Sequence, residues 1–374
     1  MNAHLHSPGR RSNGFTLVEL LVSTAVLSIL LLVTMSALET MQRSWRETKG
    51  KVNQFRNARI AFETITRNLS QATLNTYWDY HYSSTGSNIP PAESTEPPTG
   101  YVRQSELDFR ITPAVTLGDE EATPDLYPGY ALFFQAPLGL SQNYRGLSSL
   151  LNARGYYIRY RSNEDQRPSF LPGGVVPVKH RYQLMEYRPP AEQVATPETG
   201  SKKGIQGNTV YANENWYKQD LDAVSRPIAD NILFMAISPQ VPEETLTGTT
   251  RKKWWIAPGY QYSSRDTNNA TPALDAPILR QDGTLDEGTR HLLPPLVRVT
   301  LIAAEEDSLS RWAAARGNSP VDIAAEADAP FDEAEHYERD LDRMKEYLNR
   351  QKLNYRVFTA SIPLRNAAWD SKTY

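Results

Sequence analysis

GFTLVELLVSTAVLSILLLVTMSAL, from Gly14 to Leu38, is an almost purely apolar run whose single charge is Glu19. The 24 residues from Phe15 to Leu38 contain neither Gly nor Pro. At about 1.5 Å per residue they predict a helix of roughly 36 Å, which exceeds the roughly 30 Å of a bilayer's hydrocarbon core. We therefore expect residues 15–38 to form a transmembrane helix.

Charges beside this run indicate its orientation. Arg10 and Arg11 precede it, whereas Lys and Arg are absent from Phe15 to Gln42. Because positive charge favours the cytoplasmic side, we expect the N-terminal side to stay in the cytoplasm and the long C-terminal part to be exported. A secretory signal peptide would carry a small-residue cleavage site after its apolar core, and nothing of that kind follows this run.

The hexapeptide GFTLVE, residues 14–19, resembles the prepilin cleavage and N-methylation site of type IV pilins and type II secretion pseudopilins. The resemblance implies that residues 1–14 are a leader, that prepilin peptidase cuts between Gly14 and Phe15, and that the new Phe15 amine is methylated. It also implies that Glu19 pairs with the N-terminal amine of a neighbouring subunit during assembly. The alternative is an accidental charge near a helix end, which is costly in a bilayer unless it finds a partner.

Composition narrows the classes of function. Removing residues 1–14 deletes Arg10 and Arg11 and no acid, so the formal charge moves from −3 to −5. An acidic protein gives no electrostatic reason to expect nucleic-acid binding. The chain contains no Cys, which excludes disulfides, thiolate nucleophiles and Cys-based zinc sites.

Beyond the membrane the helix is predicted to continue as an amphipathic extension over residues 39–74. Apolar residues recur at spacings of three, four and seven with polar residues between them. They are Met41, Trp45, Val52, Phe55, Phe62, Ile65 and Leu69. Such a stripe could form a coiled coil with another helix or pack on the chain's own sheet, and the pilin resemblance favours the sheet.

Residues 75–374 are predicted to form a head outside the cytoplasm. A loop rich in Ser, Pro, Gly and Thr spans residues 83–100. Seven segments rich in aromatic and β-branched residues then predict strands. They are Glu106–Thr112, Tyr130–Gln135, Tyr156–Arg161, Arg181–Tyr187, Asn231–Ser238, Leu296–Ala303 and Tyr355–Ile362.

Two helices and two inserts complete the predicted head. A short helix is expected over Leu147–Ala153, closed by Gly155, and an amphipathic helix over Phe331–Lys352. The segments Pro189–Gly207 and Glu243–Arg290 are polar and rich in Gly, Pro, Thr and Asn, so we expect them to lie outside the core.

A long N-terminal helix followed by a mostly antiparallel sheet is an α+β arrangement, and it is also the order of elements in the pilin fold. The length of the chain resembles that of the larger J-type minor pseudopilins. Four segments are similar to the prepilin-like family called Verru_Chthon cassette protein C. They are Ala131–Gly139, Arg181–Tyr187, Arg226–Asn231 and Ile362–Asn366.

Other candidate sites have simple structural explanations. His336 lies among Glu335 and Glu338, but helix surfaces rich in Glu are usually solvated, so no metal or cofactor is expected. The acidic segments Asp266–Asn269 and Asp282–Glu287 carry oxygen ligands that calcium prefers, yet neither fits an EF-hand and Asx-turns explain them equally.

One basic aromatic patch could bind a ligand. Trp254 and Trp255 follow Arg251, Lys252 and Lys253, a combination that could hold an anionic glycan or DNA, although aromatic pairs in strands usually pack across the sheet. No G-x-S-x-G elbow and no glycine-rich phosphate loop occurs, so no catalytic residue is predicted.

These patterns predict a non-enzymatic minor pilin-like or pseudopilin subunit in the cytoplasmic membrane, assembled into a type II secretion or type IV pilus-like filament. Its expected partners are prepilin peptidase, other pilin subunits and inner-membrane lipid. Two alternatives stay open at this point. The head could be an adhesin-like module that recognises carbohydrate or DNA, or an enzyme anchored by a prepilin-type leader.

Overall fold

The computed structural model describes the greater part of the chain. The described residues are 16–82, 97–119, 121–141, 143, 145–163, 178–191, 215–218, 220–242, 244–246, 249–266, 269, 278–279, 285–286 and 288–368. The chain divides into two compact units, Met1–Asn53 and Gln54–Tyr374. The first unit contributes a helical segment, and the strands of the described residues all belong to the second.

The described residues contain one long N-terminal helix and several shorter helices farther along the chain. Helix α1 covers Leu17–Leu69, and α2 is a single turn at Leu221–Val224. Near the C-terminus lie α3 at Glu306–Ala314, α4 at Ile323–Glu326 and α5 at Tyr337–Arg350. Short 3₁₀ helices occupy Ala114–Leu117, Trp216–Lys218 and Ala334–His336.

Fifteen strands are found in the described residues. They are β1 Tyr77–His81, β2 Gly100–Gln104, β3 Arg110–Pro113, β4 Tyr130–Pro137, β5 Leu151–Ser162, β6 His180–Tyr187, β7 Ser225–Asp230, β8 Ile232–Gln240, β9 Glu244–Leu246, β10 Thr249–Arg251, β11 Tyr262–Ser263, β12 Ile278–Leu279, β13 Leu285–Asp286, β14 Leu296–Ala304 and β15 Tyr355–Pro363. All seven predicted strands are confirmed, with boundaries that shift by a few residues at most ends.

Two antiparallel sheets form the body of the head. The larger has the order β11-β3-β4-β5-β6-β7, and the smaller has the order β15-β14-β8. In the smaller sheet Val299 lies opposite both Ile237 and Ala360. The remaining pairs form two-stranded ribbons: β1 with β2, β9 with β10, and β12 with β13. The α+β arrangement is confirmed.

The two sheets approach closely where β4 begins. Gly129 adopts φ +76°, and a Cβ placed there would lie 2.4 Å from the backbone oxygen of Met235 in β8. Only glycine combines that backbone conformation with that approach. Strand β8 is buried along its whole length, so the core lies between and around these strands.

The part of α1 that belongs to the second unit packs on both sheets. The ring of Phe62 lies 5.8 Å from that of Phe358 in β15, and the Asn68 side chain donates to the Tyr156 hydroxyl of β5 at 2.8 Å. Ile65 and Leu69 on the same stripe are fully buried. From Phe55 to Leu69, packing on the chain's own sheet is therefore the arrangement observed, whereas Met41 and Trp45 of the same predicted stripe are each 67% exposed.

Helix α5 covers the other face of the smaller sheet. The Tyr337 hydroxyl and the Thr300 hydroxyl of β14 are 2.6 Å apart, and the Arg298 guanidinium lies 3.4 Å from the centre of the Tyr337 ring. The predicted amphipathic helix is confirmed, although its first turn is a 3₁₀ helix and α5 starts at Tyr337.

The predicted helix over Leu147–Ala153 is wrong, because β5 begins at Leu151 and pairs with β4. The side-chain amide of Asn152 accepts from the Leu140 backbone N–H at 2.7 Å and donates to the Leu140 backbone oxygen at 2.8 Å. These two hydrogen bonds hold the start of the strand. Gly155 does not close a helix. A Cβ on it would lie 2.3 Å from the Phe133 ring, so glycine is needed there for packing.

The prediction that Glu243–Arg290 lies outside the core is wrong for its middle part. Tyr260 and Tyr262 are fully buried, and the Tyr262 hydroxyl donates to the Leu292 backbone oxygen at 3.0 Å. Strand β11 extends the larger sheet by pairing with β3. Most of the other predicted insert, Pro189–Gly207, lies outside the described residues.

Buried Asp108 ties this middle part to the sheet. Its carboxylate accepts hydrogen bonds from the Ser264 hydroxyl and the Trp216 indole at 3.0 Å each, and from Arg110 at 3.2 Å. The backbone amides of Asp108 and Phe109 donate to side chains of Gln135 and Ser264 instead of to a neighbouring strand, so β3 starts only at Arg110, four residues after the predicted start.

Candidate processing and assembly site

Helix α1 begins with a reciprocal pair of hydrogen bonds between Thr16 and Glu19. The Glu19 amide donates to the Thr16 hydroxyl at 3.3 Å, while the Thr16 amide and hydroxyl both donate to Glu19 Oε2 at 3.0 Å. This is the capping-box arrangement, in which a Thr and a Glu three residues apart satisfy free amides at a helix start. The same carboxylate that interrupts the apolar run therefore also starts the helix.

The second Glu19 carboxylate oxygen, Oε1, has no hydrogen bond within the part of the chain that the structure describes. The side chain is exposed, at the start of a helix whose apolar residues face outward. Thr16 thus holds one oxygen, while the other can accept a hydrogen bond or a cation from outside the chain.

Five hydroxyl groups farther along the helix are satisfied internally. Their side chains donate to backbone oxygens three or four residues earlier, which removes the need for water or a partner helix. These residues are Ser23, Thr24, Ser28, Thr34 and Thr40. Between Leu17 and Leu38, Glu19 is the one charged residue, and its Oε1 has no hydrogen bond among the described residues.

Residues Leu17–Gln42 are apolar and long enough to cross a membrane, and none of them is buried inside the protein. Large side chains such as Leu21, Ile29 and Leu31 stay more than half exposed. A helix that is apolar all round needs lipid or other helices to cover it. This segment therefore serves as a membrane anchor.

The far end of the span carries an exposed aromatic residue. Trp45 is 67% exposed and follows the last apolar residues by less than two turns. Tryptophan is enriched at membrane surfaces, because its ring is apolar while its N–H reaches the polar layer. Its position fits the boundary between the hydrocarbon and the headgroups.

The residues around His336 do not converge on a metal site. His336 Nδ1 lies 2.8 Å from a Glu333 oxygen, Glu335 pairs with Lys252, and Glu338 lies 3.6 Å from Arg298. The hydrogen bond from Lys252 lowers the pKa of Glu335. No group of three or more possible metal ligands occurs in the described part of the chain.

The predicted basic aromatic patch is only partly presented to solvent. Trp254 and Trp255 are half-buried against the core, and Lys252 lies 5.5 Å from the centre of the Trp254 ring while bound to Glu335. The charge of Lys252 is thus paired with an acid of the same chain.

The acidic segments considered for calcium fall mostly outside the described residues. Within them, Asn269 binds the backbone of Ser263 through both its oxygen and its nitrogen, at 2.6 and 3.0 Å. The Thr289 hydroxyl donates to the Asp266 backbone oxygen at 3.1 Å. These side chains hold the segment after β11 in place.

Gly14 and Phe15 lie outside the described residues, so the structure provides no geometry for the cleavage site. Thr16 is the functional candidate that sequence reasoning missed. Its signal was present, since a Thr followed three residues later by a Glu before an apolar run is the sequence pattern of a capping box.

A protein-family model described as the prokaryotic N-terminal methylation motif matches residues 9–35. The chain carries a type IV pilin-like prepilin motif. The prepilin motif implies processing by prepilin peptidase and assembly with other pilins, and it is typical of structural subunits that are generally not enzymes. No curated protein and no solved structure matches the chain. The finer likeness to the Verru_Chthon cassette protein C family stays a prediction.

Proposed function

We propose that this protein is a minor pilin-like or pseudopilin subunit of a type II secretion or type IV pilus-like filament. The proposal has residues 1–14 as a leader, residues 15–38 as the membrane helix, residues 39–74 as its extension and residues 75–374 as the head. The observation that carries it is the uncovered apolar span Leu17–Gln42, which begins at the prepilin motif. An outward apolar helix suits both a membrane and a bundle of like helices.

Glu19 is proposed to set the position of each subunit against its neighbour. Its Oε2 is held by Thr16, while Oε1 has no partner among the described residues, so the free oxygen is available to the methylated Phe15 amine of the next subunit. A carboxylate inside the hydrocarbon is costly when unpaired, so a cation from another subunit would favour the assembled state.

A pair of variants tests this role. Glu19→Gln keeps the shape and removes the charge, and we expect the variant to insert into the membrane but disappear from the sheared filament fraction. Glu39→Gln is the matched control, because Glu39 is an exposed acid in the same helix. Immunoblots of membrane and filament fractions provide the readout. Wild-type amounts of Glu19→Gln in filaments would contradict the proposal.

The head is proposed to lie outside the cytoplasm. Local charge alone does not favour this orientation, because Arg43, Arg46, Lys49 and Lys51 follow the span while Arg10 and Arg11 precede it. Large domains are exported largely regardless of such charges, so the orientation rests on the prepilin motif.

Cysteine labelling decides the orientation cleanly, because the chain has no cysteine of its own. Thr359→Cys, on an exposed position of β15, should react with a membrane-impermeant maleimide in intact spheroplasts. Ser44→Cys, just beyond the span, should react as well, whereas Ser7→Cys in the uncleaved leader should react only after lysis. The reverse pattern would place the head in the cytoplasm.

A tip or initiating position suits the head better than a uniformly packed shaft, because its long inserts would crowd neighbouring copies. Immunogold labelling should then mark filament ends. Label along the whole filament would contradict a tip position and leave the subunit role intact.

A further inference from the structure

An exposed aromatic surface lies on the ribbon formed by β1 and β2. From residue 54 onward, seven large apolar side chains are exposed among the described residues, and four of them belong to this ribbon. They are Tyr77, Trp78, Tyr80 and Tyr101. Scattered single apolar residues need no explanation, whereas such a concentration indicates a binding surface.

The register of the ribbon places three of these rings on one face. Trp78 lies opposite Arg103, and Tyr80 lies opposite Tyr101. Because residues two apart and residues directly opposite share a face, Trp78, Tyr80 and Tyr101 point the same way. They are 66%, 48% and 65% exposed, and the two tyrosine rings are 5.5 Å apart.

The opposite face fixes the ribbon to the head. Val102 is buried there, and the Tyr77 hydroxyl donates to Glu106 at 2.7 Å. This hydrogen bond, together with partial burial, raises the pKa of Tyr77 to about 12. The three rings therefore stand on a supported surface, so a ligand would not have to order them first.

The chemistry of this face favours a neutral ligand. Its charged residue, Arg103, is half-buried and donates through Nη2 to the Gly288 backbone oxygen at 2.9 Å. A nucleic acid would need several cations for its phosphates, and the face of the ribbon does not supply them.

The size of the face favours a small or chain-like ligand over a folded protein. Five residues at about 3.4 Å each give a length of roughly 17 Å, and two strands give a width of roughly 10 Å. The resulting area is far below the roughly 800 Å² that each partner buries in a stable protein complex. A length of roughly 17 Å accommodates a few sugar rings in a row.

We propose that Trp78, Tyr80 and Tyr101 form a binding platform for a neutral polysaccharide. The negatively polarised ring faces pack against the positively polarised C–H groups of sugar rings, and the tyrosine hydroxyls and the indole N–H reach sugar hydroxyls. This activity goes beyond filament assembly and does not depend on it.

The test uses the full chain purified in a detergent without a sugar headgroup. Isothermal titration with neutral hexasaccharides of glucose, xylose, mannose and N-acetylglucosamine should find at least one that binds with a Kd of about 1 mM or tighter. The double variant Trp78→Ala/Tyr101→Ala should weaken that binding by about tenfold or more. Trp78→Phe keeps an aromatic ring and should retain part of the wild-type affinity.

Leu147→Ala is the matched control, since Leu147 is also exposed but lies outside the ribbon. This variant should bind the hexasaccharide with the affinity of the wild type. Circular dichroism checks that each variant is folded. The proposal is overturned if none of the hexasaccharides binds, if the double variant binds as the wild type does, or if the double variant changes the oligomeric state while saccharides have no effect.

Discussion

The two parts of helix α1 carry similar apolar side chains and leave them in opposite environments. Between Leu17 and Gln42 the apolar residues are exposed on every side. Between Gln54 and Leu69 the apolar stripe is buried against the sheets of the head. Both parts are helical, but the first is apolar all round while the second has one apolar stripe, and this chain supplies a covering surface only for the stripe.

Polar side chains follow the same division. The hydroxyl of Ser28 is satisfied by its own helix, whereas Asn68 is satisfied by Tyr156, which is 88 residues away in sequence. A span that is satisfied within itself can enter lipid alone, and a segment with distant partners requires the folded head. The first part thus serves anchoring, and the second serves folding.

A matched pair of isoleucine variants tests whether the two parts of α1 differ in their contribution to the stability of the head. Ile65 is fully buried, while Ile29 is exposed in the same helix. Ile65→Ala should lower the free energy of unfolding of the head by about 2–5 kcal/mol, because it removes buried methyl groups and leaves a cavity. Urea denaturation followed by near-ultraviolet circular dichroism measures the change.

Ile29→Ala should leave that unfolding curve unchanged within error. An equal loss in both variants would mean that the span also contributes to the stability of the head, and the distinction would fail.

The pH dependence of stability tests the burial of a titratable residue, His291, in the head. His291 is buried with neither ring nitrogen bonded among the described residues, and burial together with Arg290 lowers its pKa from 6.5 to about 4. Because the folded pKa lies below the unfolded one, the neutral form is stabilising. Its contribution is complete above pH 6.5 and is lost as the pH falls towards 4, by about 2–3 kcal/mol at pH 4.5.

Urea unfolding of the wild type and of His291→Gln at pH 7 and pH 4.5 checks this value, since carboxylates titrate equally in both proteins. His180→Gln, on an exposed position of β6, is the control and should behave as the wild type does. If His291→Gln loses as much stability as the wild type between the two pH values, His291 is not the source.

The smallest expected effect concerns the start of the span. Thr16→Ala removes the hydroxyl that accepts from the Glu19 amide and should weaken the protection of that amide by about 1 kcal/mol, which is about fivefold faster hydrogen exchange at Glu19. Thr40→Ala removes a hydroxyl that bonds only to its own helix, so exchange at the start should not change. Equal exchange in Thr16→Ala and the wild type would contradict the capping role.

The sequence predicted the elements whose pattern is local. The sequence of β14 alternates between apolar residues and the polar Arg298 and Thr300, although the strand is buried after Leu296. The stripe through Phe62, Ile65 and Leu69 has the helical period, so both elements could be predicted from local sequence. The prepilin motif could also be recognised from the sequence, because its six residues are adjacent.

Elements that depend on distant partners could not be predicted. Strand β5 starts at Leu151 because it pairs with β4, and Gly155 is required by the Phe133 ring, neither of which is visible in a window of local sequence. Strand β7 was not predicted, because Pro227 lies within it and proline argues against a central strand. An edge strand tolerates proline, and β7 lies at the edge of its sheet. Helix α3 was missed, and its first residue, Glu306, is bonded to Asn231 at 2.7 Å.

The intact mass and N-terminal sequence of the protein isolated from its native membrane decide whether the chain is processed as a prepilin. We expect a chain that begins at Phe15 and carries one methyl group in place of a hydrogen on its N-terminal amine. An intact leader, or a chain cut after Leu38, would contradict it.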